Sequence, residues 1–235
     1  GAASLEEAGA LAGIAVLAPP GTIERRYVLA HMLRVLTTDA PFTVLAPKDK
    51  GGARLRKELE AFGCAVSETS RHHFRVCASK RPAAPKGLDD AIAAGAPRLS
   101  EETGLWSQPG VFSWDRIDPG SALLVAHLPA LSGVGADFGC GVGYLARAVL
   151  KSPRVQRLAL IDIDRCAVDA ARRNVEDSRA QFYWADVTDD AGSAAGLDFV
   201  VMNPPFHDGG AEDRTLGLAF LTRAALALRP GGTCW

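Results

Sequence analysis

The sequence predicts an α/β protein: a parallel sheet with helices on both faces, preceded by a smaller α/β domain. Three observations carry this. Residues 135–235 alternate short, almost continuously apolar runs with helix-spaced segments, the pattern of strands buried on both faces. A weaker version of the same alternation runs through residues 14–78. Between them, residues 81–97 are rich in Pro, Ala and Gly, which interrupt helix and strand alike. The expected division is a first domain over 1–81, a linker over 82–104 and a second domain over 105–235.

Residues 14–17 read as a buried strand that ends at Pro19-Pro20-Gly21. Residues 23–36 have helical spacing, with Tyr27, Leu29, Leu33 and Leu36 on or near one face. A strand over 42–46, a helix over 54–62 and a strand over 74–78 complete the first segment. In the second, 135–138 is a strand that enters the turn Gly139-Cys140-Gly141-Val142-Gly143, and 144–151 is a helix. A strand over 158–163 ends in carboxylates, followed by a helix over 166–174 and a strand over 181–184. The strand over 198–202 ends at Asn203-Pro204-Pro205-Phe206, and a helix over 216–228 closes at Arg229-Pro230-Gly231-Gly232. Val16-Leu17-Ala18-Pro19-Pro20 echoes Val201-Met202-Asn203-Pro204-Pro205, which suggests a duplicated unit with Ala18 where the second copy has Asn203. Two unrelated strand-Pro-Pro turns would give the same echo.

Composition narrows the class. The chain has 235 residues, 48% of them hydrophobic, and a net charge of −1. No apolar run approaches the roughly 18 residues of a membrane span. Five cysteines without a C-x-x-C pair and five scattered or adjacent histidines support neither a zinc site nor a disulfide framework. No metal is expected, and a reducing cytoplasm is the expected compartment. The chain starts at Gly1 without an initiator Met and stops at Trp235, so both ends look cut.

The glycine turn predicts a nucleotide site. Glycines between a strand and a helix let the backbone turn tightly and approach a ligand without a Cβ in the way. The spacing is G-x-G-x-G, with Tyr144 where a dinucleotide fingerprint needs its third glycine. Asp137 at the start of the turn would repel a pyrophosphate but suits a ligand with an amino group and a cation, as S-adenosylmethionine has. Asp162, 23 residues beyond Gly139, stands near the position of a ribose-binding carboxylate, with Asp164 as its competitor. Asp186, in Ala185-Asp186-Val187, could accept the adenine amino group.

Asn203-Pro204-Pro205-Phe206 predicts the chemical centre. An amide or ring-bound amine has a delocalised lone pair. Two acceptors that grip its hydrogens can turn that pair toward a methyl donor. The Asn203 side-chain oxygen and the Pro204 carbonyl are the candidate acceptors, held by rigid prolines, and Phe206 offers a stacking face. His207 is expected to shape the pocket or touch substrate rather than act as the base.

Together these motifs resemble class I S-adenosylmethionine-dependent methyltransferases that act on exocyclic or amide nitrogen. Pro109-Gly110-Val111-Phe112-Ser113, residues 118–124 and residues 203–209 resemble, more narrowly, the bacterial ribosomal RNA small subunit methyltransferase C family, whose members modify guanine 1207 of 16S rRNA at N2. The resemblance is strong over 105–235. It departs from the family pattern at Pro119 and in the missing C-terminal strands. It implies a Rossmann-like catalytic domain behind a degenerate methyltransferase-like domain that assists RNA binding. It further implies S-adenosyl-L-methionine as cofactor, 16S rRNA or the 30S subunit as partner, and a monomer without membrane contact. By the same resemblance, Asn203, Pro204, Pro205 and Phe206 form the guanine-amine site. Gly139, Cys140, Gly141, Gly143, Asp137, Asp162, Ile163, Asp186, Val187 and Asn203 hold the cofactor, flanked by Phe112 and Asp118. A 23S guanine-N2 enzyme, a protein glutamine-N5 methyltransferase and a non-catalytic RNA-binding scaffold are the rival readings.

The near-zero charge does not oppose an RNA partner. Residues 48–86 hold ten basic side chains against four acidic ones, whereas residues 110–235 hold 12 against 15. A basic first domain and an acidic second one sum to neutrality, which suggests that the first would grip phosphates. A solvated charged surface would look the same.

Overall fold

A computed structural model describes residues 5–189, 195–204, 207–208, 211–212 and 214–235. Two compact units divide it, Gly1–Ala96 and Pro97–Trp235.

After a single 3-10 turn, unit 1 runs β1 (Ile14–Leu17), α1 (Thr22–Val35), β2 (Pro41–Pro47), α2 (Ala53–Ala61), β3 (Ser67–Arg71), β4 (Phe74–Lys80) and α3 (Leu88–Gly95). Its sheet has the order β1-β2-β4-β3; β1 and β2 are parallel, and β4 is antiparallel to both its neighbours. Leu29, Met32 and Leu33 of α1 pack with Val44 of β2 and with Leu55 and Leu59 of α2 in a core closed to solvent.

One polar feature crosses that core. Arg25 is fully buried and donates to Glu58 from Nε (2.6 Å) and Nη2 (2.8 Å). Its Nη1 donates to the carbonyls of Pro20 (2.7 Å) and Pro19 (3.1 Å), the turn that follows β1. A Cβ at Gly51 would overlap this guanidinium.

The stretch expected to be a linker, 82–104, is partly folded. Its α3 packs on α1, and Gly95 sits directly against Tyr27. The strand β3 was not anticipated, because its exposed face and polar residues give no apolar alternation.

Unit 2 begins with β5 (Arg98–Leu99) paired to β6 (Trp106–Ser107) and continues with α4 (Pro119–His127), which the sequence reading did not assign. Pro119 falls in the first turn of α4, where its missing N–H costs nothing, so this departure from the family pattern is structurally neutral. Then follow β7 (Gly133–Phe138), α5 (Tyr144–Val149), β8 (Val155–Asp162), α6 (Arg165–Asn174), β9 (Ala180–Trp184) and β10 (Leu197–Met202). A short β11 (His207–Asp208) pairs with β12 (Ala211–Glu212), and α7 (Arg214–Ala227) leads into β13 (Leu228–Cys234).

The main sheet has the order β13-β10-β7-β8-β9, and every pair in it is parallel. Side chains alternate between two cores. Leu158, Leu160, Phe199 and Val201 face Leu145, Val149 and Ala171 of α5 and α6, whereas Ala136, Ile161, Val200 and Met202 face Phe220 and Ala224 of α7. Both faces are therefore covered in the middle of the sheet, which is why β7 and β10 are almost continuously apolar, whereas the edge strands β9 and β13 keep exposed positions. From β7 the chain winds outward through β8 to β9, and from β10 it winds the other way to β13. The reversal lies between β7 and β10, where open α/β sheets bind their ligands at the strands' carboxyl ends.

Candidate active site

Register brings the motif residues into one row. Met202 is paired with Phe138, Phe138 with Ile161, and Asp162 with Trp184. The segments that leave these strand ends, Asn203, the Gly139 turn, Asp162 and Asp186, therefore stand side by side in the order β10, β7, β8, β9.

All three turn glycines are left-handed, with φ of 69°, 52° and 83° at Gly139, Gly141 and Gly143, a conformation that other residues adopt only with strain. The Gly139 and Cys140 N–H groups both donate to the Ile161 carbonyl, at 2.9 and 3.1 Å, and Gly143 caps α5. Asn174 at the end of α6 fixes the neighbourhood: its Nδ2 donates to the carbonyls of Trp106 (2.8 Å) and Val142 (2.9 Å), and its Oδ1 accepts from the Trp106 N–H (2.7 Å). The segment that carries Phe112 is thereby tied to the glycine turn.

A cavity of about 490 Å³ opens at these strand ends, a volume suited to a cofactor-sized ligand. Gly139 and Gly141 form its floor, and Asp162, Ile163, Asp186 and Val187 its far side. Phe112, Asp118, Asn203 and Pro204 close the near side. Leu216 and Phe220 of α7 add an apolar wall that the motif reading missed, although their i, i+4 spacing marks a helix face. Gly120 also lines the cavity and went unnoticed.

Some expected contacts lie elsewhere. Gly143 does not line this cavity; a Cβ there would come 2.9 Å from Val175, so the glycine serves packing against α6. Cys140 is buried and lines a second, smaller space of about 60 Å³ that shares Phe112, Asp118, Gly139, Gly141 and Asn203 with the main cavity. Pro205 and Phe206 lie outside the described residues. Asp164 is the N-cap of α6, accepting from the Cys166 N–H at 2.8 Å, which leaves Asp162 as the acid on the cavity wall. Asp162 accepts from the Gly141 and Asp164 N–H groups, both at 2.8 Å, and burial raises its pKa. Asp186 holds Thr188 through Oδ1, leaving Oδ2 free of those bonds.

Asp137 is fully buried beneath the turn, and neither carboxyl oxygen makes a hydrogen bond of good geometry. Burial, with the Asp162 charge nearby, pushes its pKa up to about 8. Asp137 does not itself line the cavity, but an acid buried next to the turn glycines that do fits a cationic, amino-bearing cofactor, whose positive charge would favour the carboxylate. Among the described residues there is no cluster of His, Cys, Asp and Glu able to hold a metal ion, and no helix is long and apolar enough to cross a membrane.

At the substrate end, Asn203 Nδ2 donates to Asp118 Oδ2 (2.8 Å) and Ser121 Oγ (2.9 Å). Asp118 is thus a partner of Asn203 as well as a wall of the cavity. The same Asp118 Oδ2 accepts from the Ser121 N–H at 2.8 Å and so caps α4.

A doubly covered parallel sheet, a glycine turn and an Asn-Pro strand end define a methyltransferase domain, and residues 102–235 match the methyltransferase small domain family. Over 230 residues the chain is 35% identical to the ribosomal RNA small subunit methyltransferase C of Pseudomonas paraeruginosa, covering 95% of this chain and 68% of that protein. Against the protein of the same name from Pseudomonas aeruginosa it is 36% identical over 212 residues, 88% of this chain and 63% of the relative. The fold is similar to that of the T. thermophilus 16S rRNA guanine-1207 N2 methyltransferase in complex with AdoMet and guanosine, with TM-score 0.76 and 26% identity. That match covers 95% of this chain and 63% of the other. The chain belongs to the ribosomal RNA small subunit methyltransferase C family, and it spans 63–68% of the length of these relatives.

Proposed function

We propose that this chain transfers a methyl group from S-adenosyl-L-methionine to the exocyclic N2 amine of a guanine in 16S rRNA, at a guanine-1207-type site of the small subunit. The observation that carries this reading is Asn203: its Nδ2 is committed to Asp118 and Ser121, so its oxygen is left as an acceptor on the wall of the cofactor-sized cavity.

The cofactor, when bound, supplies an electrophilic methyl on a sulfonium. In this reading the Gly139 and Gly141 backbone would border it, Asp162 would accept from its ribose, and Asp186 and Val187 would border its adenine. Phe112 and Ile163, exposed at 69% and 66%, would offer it apolar contact. Asn203 Oδ1 and the Pro204 carbonyl accept the two hydrogens of the guanine amine and draw its lone pair out of the ring plane toward the methyl. Most of the acceleration comes from holding nitrogen and methyl in line. After transfer the nitrogen is acidic and releases its proton to water. Pro205 and Phe206 would stiffen the turn and stack on the base. A guanine paired in a helix must be flipped out or already unpaired to enter.

Unit 1 is, in the same reading, a diverged copy that contributes RNA affinity. The support is topological: β1, α1 and β2 form a parallel strand-helix-strand unit whose first strand runs into Ala18-Pro19-Pro20, as β10 of the β10, α7 and β13 unit runs into Asn203-Pro204.

Radiolabel transfer to undermodified 30S subunits, naked 16S rRNA, 50S subunits and a peptide-release factor tests the assignment. Label is expected in 16S rRNA alone. The variant Asn203→Ala is expected to abolish transfer while S-adenosylmethionine affinity stays within a few-fold. Near-normal turnover in that variant would overturn the mechanism.

A further inference from the structure

The primary amide of Asn203 is almost symmetric in shape, but its two ends are opposite in function. With oxygen toward the cavity the site accepts hydrogen bonds; rotated by half a turn it donates them. The groups behind the amide decide between the two. A carboxylate has only lone pairs to offer, so the end of Asn203 that faces Asp118 has to be the NH₂ end. Its two hydrogens are then spent, one on Asp118 Oδ2 at 2.8 Å and one on Ser121 Oγ at 2.9 Å. Gly120 keeps the arrangement open: a Cβ there would stand 3.0 Å from Asp118 Oδ2 and 3.6 Å from both Nδ2 and Oδ1 of Asn203.

Resting on the reading of Asn203 as the amine acceptor, we propose that Asp118, with Ser121, is a positioning residue that sets the polarity of the substrate site. It locks the Asn203 oxygen toward the base and so selects a purine with an exocyclic amine over one without it. Asp118 and Ser121 do not touch the reacting atoms in this account; they act through Asn203. Asp118 also starts α4, which places the two residues within one helical turn of each other and holds both against the end of β10.

Asp118→Ser isolates this role. Serine is itself a good N-cap, so α4 keeps its start. Its hydroxyl is one bond shorter than the carboxylate and can donate as well as accept, so it no longer fixes which end of the Asn203 amide faces it. In the full-length protein with undermodified 30S subunits, kcat should fall roughly ten- to hundredfold, the cost of one mispaired buried polar group. KM for S-adenosylmethionine should stay within about threefold and the Tm close to wild type. Guanosine and inosine, which lacks the 2-amino group, supply the second readout. With S-adenosylhomocysteine bound, the wild type should prefer guanosine, and Asp118→Ser should lose most of that preference. Ser121→Ala should do the same to a smaller extent.

An unchanged guanosine-to-inosine ratio accompanied by lower Tm or weaker cofactor binding overturns the proposal, because helix capping or cofactor contact would then be the whole role. Wild-type kcat in Asp118→Ser overturns it as well. Asn203→Ala separates the two levels. If that variant is inactive while Asp118→Ser behaves as wild type, only the positioning role fails. If Asn203→Ala is active, the underlying reading fails.

Discussion

Burial in the fold favours the neutral form of Asp137. An unfolded chain ionises it near its ordinary value of 3.8, whereas burial and the neighbouring Asp162 push it up to about 8 in the folded protein. Between those values the native state keeps a proton that the unfolded state has lost, so stability falls as pH rises through that window. The contribution is fully present below about pH 4 and gone above about pH 8. The thermal midpoint of the ligand-free protein is therefore expected to decline from pH 5 to pH 8.5, and Asp137→Asn should show a shallower slope; parallel slopes in the two proteins would refute this. Residue identity was legible in the sequence where it is local. The glycine spacing and the strand-end acids follow from neighbours a few positions apart. Asp118 read only as a cofactor neighbour because its bond to Asn203 spans 85 positions, and no local pattern reports such a pair.

Elements were legible in proportion to the apolar surface they bury. The inner strands β7, β8 and β10 announce themselves because their faces are covered, and their predicted bounds fall within a few residues of those observed. The edge strand β3 has four exposed positions out of five and no alternation to detect. Helix α3 falls in the expected linker because its Ala and Gly residues resemble a flexible stretch, yet small residues are what close packing on α1 requires. Gly95→Ala tests that. In an exposed helix the change would stabilise by about 0.5–1 kcal/mol, but here the new Cβ would overlap Tyr27. Loss of about 1–3 kcal/mol is expected instead, read as a lower urea midpoint at constant m value, and a gain would show that α3 does not depend on this contact.

For the molecule as a whole, charge is the property that the average conceals. Arg54 and Lys57 lie three apart on α2, and Arg71 ends β3, all exposed. Replacing the three by Glu is expected to weaken binding to naked 16S rRNA and to reduce the log affinity–log salt slope by roughly two to three. Binding of free guanosine should be unaffected, and an unchanged slope would locate the phosphate contacts elsewhere. The two-unit division was legible from the change in composition, but its boundary was not, since Pro and Gly mark turns inside units as readily as gaps between them. The buried Arg25 completes the contrast between the two Pro-containing turns. Its guanidinium is a flat group with N–H donors, and it already occupies the Pro19 and Pro20 carbonyls while Glu58 neutralises its charge. In stoichiometric terms, each of the two carbonyls already takes a hydrogen bond from the chain's own side chain, so a base amine would have to share them with a fixed guanidinium. Restoring an asparagine at Ala18 alone would not reopen the turn.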